Sequence, residues 1–565
     1  MPFKSRWTVD IPTVTLPTFL FTSPTAPLSE TPLMIDPEKP ERYHLSHHTY
    51  RLWSKRLAAG LRKAGFQLGE RLLLYSGNTI YFPTVFMGTI CAGGVFTGAN
   101  PTYVARELAY QLQDSGARYL ISAEASLDTA LEAADSIDFP RDRVFVFDNG
   151  YATFDNTGKS VRGIRHWTSL LSSVSEAESF AWEESSTYEQ ANRTICLNYS
   201  SGTTGVPKGV EITHTNYIAN TLQVNHFGTL LPREEYVAML SRARALCFLP
   251  MYHAYAQTYF CVGCVVKSVP VYVMQKFDFV KMLECVQRFR ITALTMVPPI
   301  VVAMAKSPVV KNYDLSSVED AGCGAAPLGR EVCIEFERLW PDGKVNVKQG
   351  WGMTEVTCSA AGWDPNERSE TFAVGELNPN CEGKIVTDDV GLNEVAQGER
   401  GELWIRAPNV MKGYWNRPDA TAETLTEDGW LKTGDIAYRD HDGKLFIVDR
   451  KKELIKVKGN QVAPAELEAQ LLEHPAVVDA AVVGVTIHGE ERPRAYLVKK
   501  PDTPVSAKEI ATFMEKRVSP HKRLVGGVHF IDAIPKNPSG KILRKVLREK
   551  AQAEVGDSEA RAQKL

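Results

Sequence analysis

Twelve consecutive residues, Tyr199 to Val210, have the composition of a phosphate-binding loop. Glycines let backbone N–H groups approach an anion closely, hydroxyls add donors, and a lysine adds a mobile positive charge. In a Walker loop the lysine opens a helix, but no helix pattern follows Lys208. Because no helix N-terminus would contribute here, the loop and the lysine would hold a polyphosphate together with a metal ion. A surface hairpin rich in glycine and hydroxyls is the alternative. The candidate contacts are Ser200, Ser201, Gly202, Thr203, Thr204, Gly205 and Lys208.

Four further segments have the character of a nucleotide site. The turn at 323–327 consists of small residues that let a planar group approach the backbone. Segment 349–355 has a tryptophan that can stack on a base and a glutamate that can hold Mg²⁺. Segment 433–435 offers a carboxylate to ribose hydroxyls, and 537–541 displays a lysine on a loop braced by proline and glycine. Each alone fits a core turn, a hairpin corner or a solvated lysine, but their joint occurrence indicates one site.

The bulk composition bounds the classes of function. At 565 residues the chain predicts two or more domains, and its net charge of −3 does not suggest a nucleic-acid partner. The ten cysteines are scattered, and the pair Cys261 and Cys264 lies in an apolar run, which favours reduced core thiols and a cytoplasmic location. Prolines and charges interrupt Leu246 to Met274, so no transmembrane segment is expected. The last residues, Gln563 to Leu565, loosely resemble the peroxisomal address Ser-Lys-Leu, which leaves that location open.

The order of secondary-structure patterns predicts an α/β fold. Helix and strand patterns alternate in the first third, which is typical of a mainly parallel sheet covered by helices. Short strands and turns between Gly398 and Asp449 suggest an antiparallel, barrel-like subdomain. We therefore expect a large N-terminal domain of helix-covered sheets, residues 1–449, and a small α+β C-terminal domain, residues 450–565.

Together these loops resemble the adenylate-forming superfamily of acyl-CoA ligases, luciferases and peptide-synthetase adenylation domains, in particular 4-coumarate–CoA ligases and their fungal relatives. Segments 249–255, 296–300, 448–459 and 534–544 also match, and the resemblance runs from about Tyr50 to Lys550. It implies two steps with ATP, Mg²⁺ and coenzyme A. A small-molecule carboxylic acid attacks the α-phosphate to give an acyl-adenylate and pyrophosphate, and the thiol then displaces AMP.

The resemblance also implies residue roles. Lys541 bridges the carboxylate and α-phosphate, Thr354 contacts that phosphate, Glu355 holds Mg²⁺, and His253 lies near the acyl carboxylate. The C-terminal domain is mobile and pivots at Lys452. With Lys208 and Lys541, the implied nucleotide contacts are Gly324, Ala325, Ala326, Gln349, Gly350, Trp351, Gly352, Met353, Thr354, Asp435, Arg450, Lys456 and Gln461, and the coenzyme A contacts are Lys458 and Gly459. The family usually has tyrosine in place of Trp351 and often serine in place of Cys323.

The expected acyl pocket is apolar to aromatic and has no lysine or arginine, which favours an aryl or medium-chain monoacid over a dicarboxylic or amino acid. Its members are His253, Ala254, Tyr255, Tyr259, Pro299, Val302, Val356 and Thr357. Three alternatives stay open. They are an adenylate-forming enzyme that loads a carrier-protein thiol, an enzyme that oxygenates its adenylate, and a non-catalytic nucleotide- or acyl-binding protein.

Overall fold

The computed structural model describes residues 2–148, 150–184, 187–200, 207–387, 390–391, 393–457, 460–487, 490–501, 503–537 and 540–562. Within these ranges, the N-terminal part of the chain has three large sheets, their helices and a two-stranded pair, Ala361–Gly362 with Glu376–Leu377. The C-terminal part has a three-stranded sheet, three α-helices and a two-stranded hairpin, Ile455–Val457 with Asn460–Val462.

The first sheet is mainly parallel, with an antiparallel hairpin near one edge. The six neighbouring strands that begin with Thr194–Ser200 and end with Arg165–His166 are parallel. The hairpin pairs Thr194–Ser200 with Lys208–Thr213. Its strands, in spatial order, are Gly413–Tyr414, Lys208–Thr213, Thr194–Ser200, Val95–Ala99, Arg71–Tyr75, Ala117–Ala123, Val144–Phe147 and Arg165–His166.

The central strand Arg71–Tyr75 is buried on both faces. Successive side chains of a strand point to opposite sides. Leu72 and Leu74 accordingly pack into the main core, whereas Leu73 and Tyr75 pack into a second core under the helices Ala105–Ser115 and Leu127–Asp135. A continuous apolar run is therefore the expected sequence of a strand covered by helices on each side.

The second sheet is also mainly parallel and shares the main core with the first. Its strands, in spatial order, are Val347–Gln349, Asp320–Cys323, Ala293–Met296, Ala245–Cys247, Val271–Val273, Pro32–Ile35 and His44–Ser46. The remaining α-helices of this part are Leu16–Phe21, His47–Lys63, Phe82–Cys91, Tyr151–Phe154, Val174–Ser179, Tyr188–Ala191, His214–Gly228, Arg233–Arg242, Ala254–Ala256, Cys264–Val266, Phe279–Phe289, Pro298–Lys306, Arg330–Glu337 and Pro418–Thr424, and a π-helix, Gln257–Gly263, joins Ala254–Ala256 to Cys264–Val266.

The third sheet is antiparallel and corresponds to the predicted barrel-like subdomain. Its strands, in order, are Phe3–Lys4, Glu382–Val386, Gly401–Arg406, Leu431–Arg439 and Leu445–Arg450. In the described residues the two edge strands do not pair with each other, so the sheet is open rather than a closed barrel.

The C-terminal part is a small α+β unit, as the sequence predicts. Its strands Val477–Ile487, Glu490–Lys499 and Val528–Phe530 form one sheet, with helices Pro464–Leu472, Ala507–Glu515 and Arg544–Ala562. Side chains that alternate along Val477–Ile487 enter separate cores on its two faces. The predicted α/β class and the large and small parts are thus confirmed, while the boundary after residue 449 stays a prediction.

The sequence predicts no membrane-spanning segment, and the helices of the structure can be compared with that prediction. Among those that the structure describes, none is long and apolar enough to cross a bilayer. The two cysteines of the apolar run, Cys261 and Cys264, are buried and free.

Burial on both faces gives a testable consequence for Leu72 and Leu73, which are both fully buried. We expect Leu72→Ala and Leu73→Ala each to lower the free energy of unfolding by about 2–5 kcal/mol, because each leaves a cavity in a different core. Thermal and urea unfolding would measure this, with Leu68→Ala, at a side chain that is 53% exposed, as the control. A strand with one solvated face would tolerate one of the two substitutions, and that result would contradict the assignment.

Candidate active site

One cavity of about 1390 Å³ collects residues from the N-terminal sheets and from the C-terminal part. Its position follows from the second sheet. Met296, Cys323 and Gln349 end parallel strands in register, so the segments after them leave the same edge. Ligands of parallel sheets bind at such carboxyl edges. The site residues predicted from sequence that line this cavity are Ser200, Lys208, His253, Ala254, Tyr255, Tyr259, Gly324, Ala325, Gln349, Gly350, Trp351, Gly352, Met353, Thr354, Glu355, Arg450, Lys452 and Lys541.

The Gln349 side chain fixes the small-residue turn instead of pointing at a ligand. Its amide donates to the Leu328 carbonyl at 2.9 Å and accepts from the Leu328 N–H at 3.1 Å. The Gly350 N–H donates to the Cys323 carbonyl at 2.9 Å, which ties the two loops together. Within the turn, Ala325 has a backbone φ of +73°, a value that residues other than glycine rarely adopt. The backbone of both loops, rather than the glutamine amide, is therefore available to a planar ligand.

Gly352 is required by a close approach of two backbone segments. A Cβ placed there would lie 1.7 Å from the carbonyl oxygen of Cys358. The glycine of this motif therefore serves the path of the chain between Trp351 and Glu355, in addition to any contact with a ligand.

Trp351 and Arg450 hold the carboxylate of Asp435. The indole Nε1 of Trp351 donates to Asp435 Oδ2 at 2.8 Å, and the Arg450 Nε lies 3.6 Å from Oδ1. Asp435 and Arg450 face each other across the antiparallel pair of strands Leu431–Arg439 and Leu445–Arg450. Asp435 is buried, so these partners replace the water that would otherwise hydrate its charge.

Glu355 is a buried carboxylate beside the phosphate-loop lysine. The Tyr414 hydroxyl donates to Glu355 Oε1 at 2.9 Å, and burial together with this carboxylate raises the pKa of Tyr414. The Lys208 ammonium lies 4.2 Å from the centre of the same tyrosine ring. Lys208 starts the strand that pairs with Thr194–Ser200, and Tyr414 belongs to the strand on its other side.

Lys541 reaches the cavity from the C-terminal part. Asn537 closes its loop, since the Asn537 side chain accepts from the Lys541 N–H at 2.9 Å and the Asn537 N–H donates to the Lys541 carbonyl at 2.9 Å. The half-buried Lys541 ammonium has no hydrogen bond or ion pair with any described residue. Burial, reinforced by the charge of Arg450, lowers the pKa of Lys541 to about 8, with Asp435 and Glu355 acting in the opposite sense.

His253 is a neutral imidazole in this site. Burial, together with the charge of Lys541, lowers the pKa of His253 to about 4. Its Nδ1 accepts a hydrogen bond from the Tyr255 N–H at 3.2 Å, at the start of the helix Ala254–Ala256. The acceptor role of Nδ1 places the ring proton on Nε2, so the second nitrogen is a donor.

Several predicted residues lie elsewhere. Val356 and Thr357 are fully buried, because a turn of 3₁₀-helix directs them inward. There the Asn409 side-chain amide donates to the Val356 carbonyl, and the Thr357 hydroxyl donates to the Asn409 carbonyl. The others that do not line the cavity are Ala326, which is half-buried; Pro299, which lies against Gly540; Val302, which packs on the main core; Asp435, which is buried and hydrogen-bonded to Trp351; and Lys456 and Gln461, which are exposed and pair across a small hairpin.

The remaining predicted contacts belong to the phosphate loop, the coenzyme A loop and the C-terminus. Ser201, Gly202, Thr203, Thr204 and Gly205 of the phosphate loop, Lys458 and Gly459 of the coenzyme A loop, and the terminal residues 563–565 lie outside the described residues.

The cavity also contains charged residues that the sequence did not indicate. Asp320, Gly322 and Lys348 line it on adjacent strands, with Gly322 directly opposite Lys348. The Lys348 ammonium donates to the carbonyls of Asp364 at 3.2 Å and Pro365 at 3.0 Å. Lys348 is therefore a lysine of the cavity lining that the predicted set of acyl-pocket residues does not include, and the expectation for the acyl end stays a prediction. No motif marks Lys348, and only the register of three neighbouring strands brings it to the pocket.

Comparison with known proteins agrees with this geometry. Residues 26–415 match the family model of AMP-binding enzymes, and residues 466–541 match that of the AMP-binding enzyme C-terminal domain. A phenylacetyl-CoA ligase of Aspergillus niger is 36% identical over 97% of this chain and 99% of its own length. A 4-coumarate–CoA ligase-like protein of Arabidopsis thaliana is 40% identical over 87% of this chain and 84% of its own length.

Solved structures are similar over nearly the whole chain. The o-succinylbenzoate CoA synthetase of Bacillus subtilis, in complex with an acyl-adenylate intermediate, has a TM-score of 0.75 and 26% identity, covering 95% of this chain and 99% of that protein. An anthranilate CoA ligase in complex with anthranoyl-AMP has a TM-score of 0.82, at 22% identity, and shares the fold. The family matches, the close relatives and the cavity together show that this chain belongs to the AMP-binding, adenylate-forming enzymes that include the acid–CoA ligases.

Proposed function

We propose that the protein activates an aryl or medium-chain carboxylic acid as its acyl-adenylate and transfers the acyl group to coenzyme A. The observation that carries this proposal is the ammonium of Lys541. It stands without a partner among the described residues, in the cavity that also holds Lys208, His253 and Glu355. A positive charge kept free in a partly buried site is suited to an anion that arrives with the substrates.

In the first step, a carboxylate oxygen forms a bond to the α-phosphorus of ATP, and the bond from that phosphorus to the pyrophosphate oxygen breaks. Negative charge spreads over the phosphoryl oxygens in the transition state. Lys541 neutralises this charge from the side of the carboxylate, and Lys208 supports the leaving pyrophosphate. Thr354 lines the cavity next to Glu355 and can donate its hydroxyl to the α-phosphate.

The charged groups fit a nucleotide with its magnesium ion. Mg²⁺ is usually held by one or two carboxylates together with substrate phosphates and water. Glu355 supplies one such carboxylate, and the structure describes no cluster of three or more His, Cys, Asp or Glu side chains that could hold a metal alone. When bound, Mg²⁺ would neutralise phosphate charge. Asp435, oriented by Trp351 and Arg450, would accept hydrogen bonds from the ribose hydroxyls.

His253 and Tyr255 would orient the acid. The neutral imidazole offers its Nε2 proton as a hydrogen-bond donor and adds no charge to compete with Lys541. Tyr255 lies beside the small-residue turn, since a Cβ at Gly324 would lie 3.5 Å from its ring. In this proposal Tyr255 would lie between the nucleotide and the acyl group.

In the second step, the sulfur of coenzyme A attacks the acyl carbonyl, the bond to the AMP oxygen breaks, and AMP leaves. The resemblance assigns this step to an arrangement in which the small domain has turned about Lys452. Lys452 lies in the turn after strand Leu445–Arg450, where such a pivot would be placed. Transfer to a carrier-protein thiol remains the alternative acceptor reaction, because both acceptors present the same thiol.

The substrate proposal rests on the aromatic wall of Tyr255 and Tyr259 and on the relatives named above. Because Lys348 lines the cavity, the lack of a cation no longer argues against a dicarboxylic acid. The decisive panel therefore contains aryl acids, C6–C18 monoacids and matched dicarboxylic acids, assayed by pyrophosphate release with and without coenzyme A. Strong preference for a dicarboxylate would overturn the monoacid proposal but not the reaction.

Lys541→Ala tests the role of the ammonium. We expect acid-dependent pyrophosphate release to fall roughly 10²–10³-fold, as for loss of a positioned charge that stabilises a transition state. The matched control is Lys545→Ala, at an exposed lysine on the following helix. Equal rates for Lys541→Ala and the unmodified protein would contradict the proposal.

The pH dependence of adenylation provides a second test. A lysine with its pKa lowered to about 8 is charged below that pH and neutral above it. We expect kcat/KM for ATP to fall as pH rises through about 8, since this parameter reports groups of the free enzyme. Lys541→Arg, whose guanidinium stays charged, should remove this decline. If the decline in kcat/KM is the same in Lys541→Arg, a group other than Lys541 causes it.

Trp351→Phe tests the hold on Asp435. Phenylalanine keeps an aromatic face but removes the indole donor, so the ribose-binding carboxylate loses a charge-assisted hydrogen bond. We expect the KM for ATP to rise about tenfold, with the KM for the acid little changed. A parallel rise in both constants would show that the substitution disturbs the whole cavity.

A further inference from the structure

The helix Pro298–Lys306 contacts the C-terminal part at both of its ends. At its start, a Cβ placed on Gly540 would lie 3.3 Å from Pro299 and from Val297, so the backbone next to Lys541 packs directly on this helix. Pro299 thus faces the lysine loop and is not among the residues that line the cavity. The first contact therefore supports the loop that carries the lysine.

At the other end, Lys306 bonds across the two parts of the chain. Its ammonium donates to the carbonyl of Leu472 at 2.8 Å and to that of Val477 at 2.9 Å. Leu472 is the last residue of the helix Pro464–Leu472. Carbonyls at a helix end lack partners within the helix, and a cation there is favourable. Lys306 thus provides the C-terminal cap of a helix that belongs to the other part.

Contacts within the C-terminal part connect this cap to the lysine loop. Arg544 binds Glu468 of the capped helix through two hydrogen bonds, at 2.7 and 2.9 Å. Lys536 binds Asp479, two residues after Val477, at 2.9 and 2.7 Å. These two ion pairs lie on either side of Lys541 in the sequence. The position of the capped helix therefore determines the position of the loop.

The Lys306 ammonium has charged groups of both signs near it. Lys306 is half-buried, Glu335 of the neighbouring helix Arg330–Glu337 favours its charge, and Lys500 opposes it. Leu472 packs against the main core and against the core of the C-terminal part. Lys306 is not among the residues that line the cavity. Any effect it has on the reaction must therefore act through the position of other groups.

We propose that Lys306 is a positioning residue for adenylation, which holds the helix Pro464–Leu472 and thereby keeps Lys541 in the cavity. The inference rests on the proposed function of Lys541. It predicts that Lys306 matters for the formation of the acyl-adenylate and not for the transfer of an acyl group already activated.

The test is a double-mutant cycle on the full-length protein. We expect Lys306→Met to lower acid-dependent pyrophosphate release roughly ten- to hundredfold, because hydrogen bonds from a charged donor are lost. In the Lys541→Ala background the same substitution should cause no further loss, since it acts through a lysine that is already absent. Thioester formation from supplied acyl-adenylate and coenzyme A should change less than about twofold, and Lys306→Arg should restore most of the adenylation rate.

Lys55→Met is the matched control. Lys55 is a buried lysine that also donates to two carbonyls, of Pro24 at 3.0 Å and Glu178 at 3.1 Å, but both lie within the N-terminal part. We expect Lys55→Met to lower the melting temperature without lowering the rate of adenylation more than the rate of thioester formation.

Three outcomes would overturn the inference. If the losses from Lys306→Met and Lys541→Ala multiply, or if both half-reactions fall in parallel as a general loss of structure would cause, Lys306 does not act through Lys541. If Lys541→Ala itself leaves adenylation unchanged, the proposed function fails and this inference fails with it. Should Lys306→Met not fold, Lys306→Gln and Lys306→Arg provide the same comparison.

Discussion

The central constraint in this molecule is the placement of one ammonium group, that of Lys541, in a partly buried cavity where no described residue forms a hydrogen bond or ion pair with it. A buried charge is costly unless other groups compensate it. Around Lys541, the carboxylates of Asp435 and Glu355 favour the charge while Arg450 opposes it, so the ammonium is retained but not neutralised by a direct bond. The C-terminal part must therefore be held against the cavity by contacts remote from the lysine, such as the hydrogen bonds of Lys306 to the Leu472 and Val477 carbonyls.

The same constraint explains why the N-terminal and C-terminal parts contribute different kinds of groups to the site. The N-terminal sheets supply fixed groups, because strands that end at a common edge bring Gln349, Cys323 and the following loops together. The C-terminal part supplies Lys541, on a loop closed by Asn537. A group carried on a separate unit can be withdrawn after it has acted, whereas a group built into the sheet cannot. This arrangement suits two successive reactions in one cavity.

The fold and much of the site can be predicted from sequence where backbone chemistry leaves a strong local signal. Glycine, proline and hydroxyl residues mark the loops at 199–210, 349–355 and 537–541, and the apolar run at 71–75 marks a doubly covered strand. Lys348, Tyr414 and Asn409 carry no such signal. Lys348 reaches the cavity through strand register, Tyr414 through pairing beside the phosphate hairpin, and Asn409 through contacts with a turn some 50 residues earlier in the chain. Val356 and Thr357 follow a site motif but turn into the core, because a motif gives the order of residues and not the direction of each side chain.

The claim that an acyl-adenylate forms is tested most directly by the fate of an oxygen atom. A carboxylic acid labelled with ¹⁸O in both oxygens would be incubated with the protein, ATP, Mg²⁺ and coenzyme A, and the released nucleotide analysed by mass spectrometry. If the acid attacks the α-phosphate, AMP will carry one ¹⁸O atom. Release of ADP, or of AMP without label alongside acyl-CoA, would contradict the adenylate route.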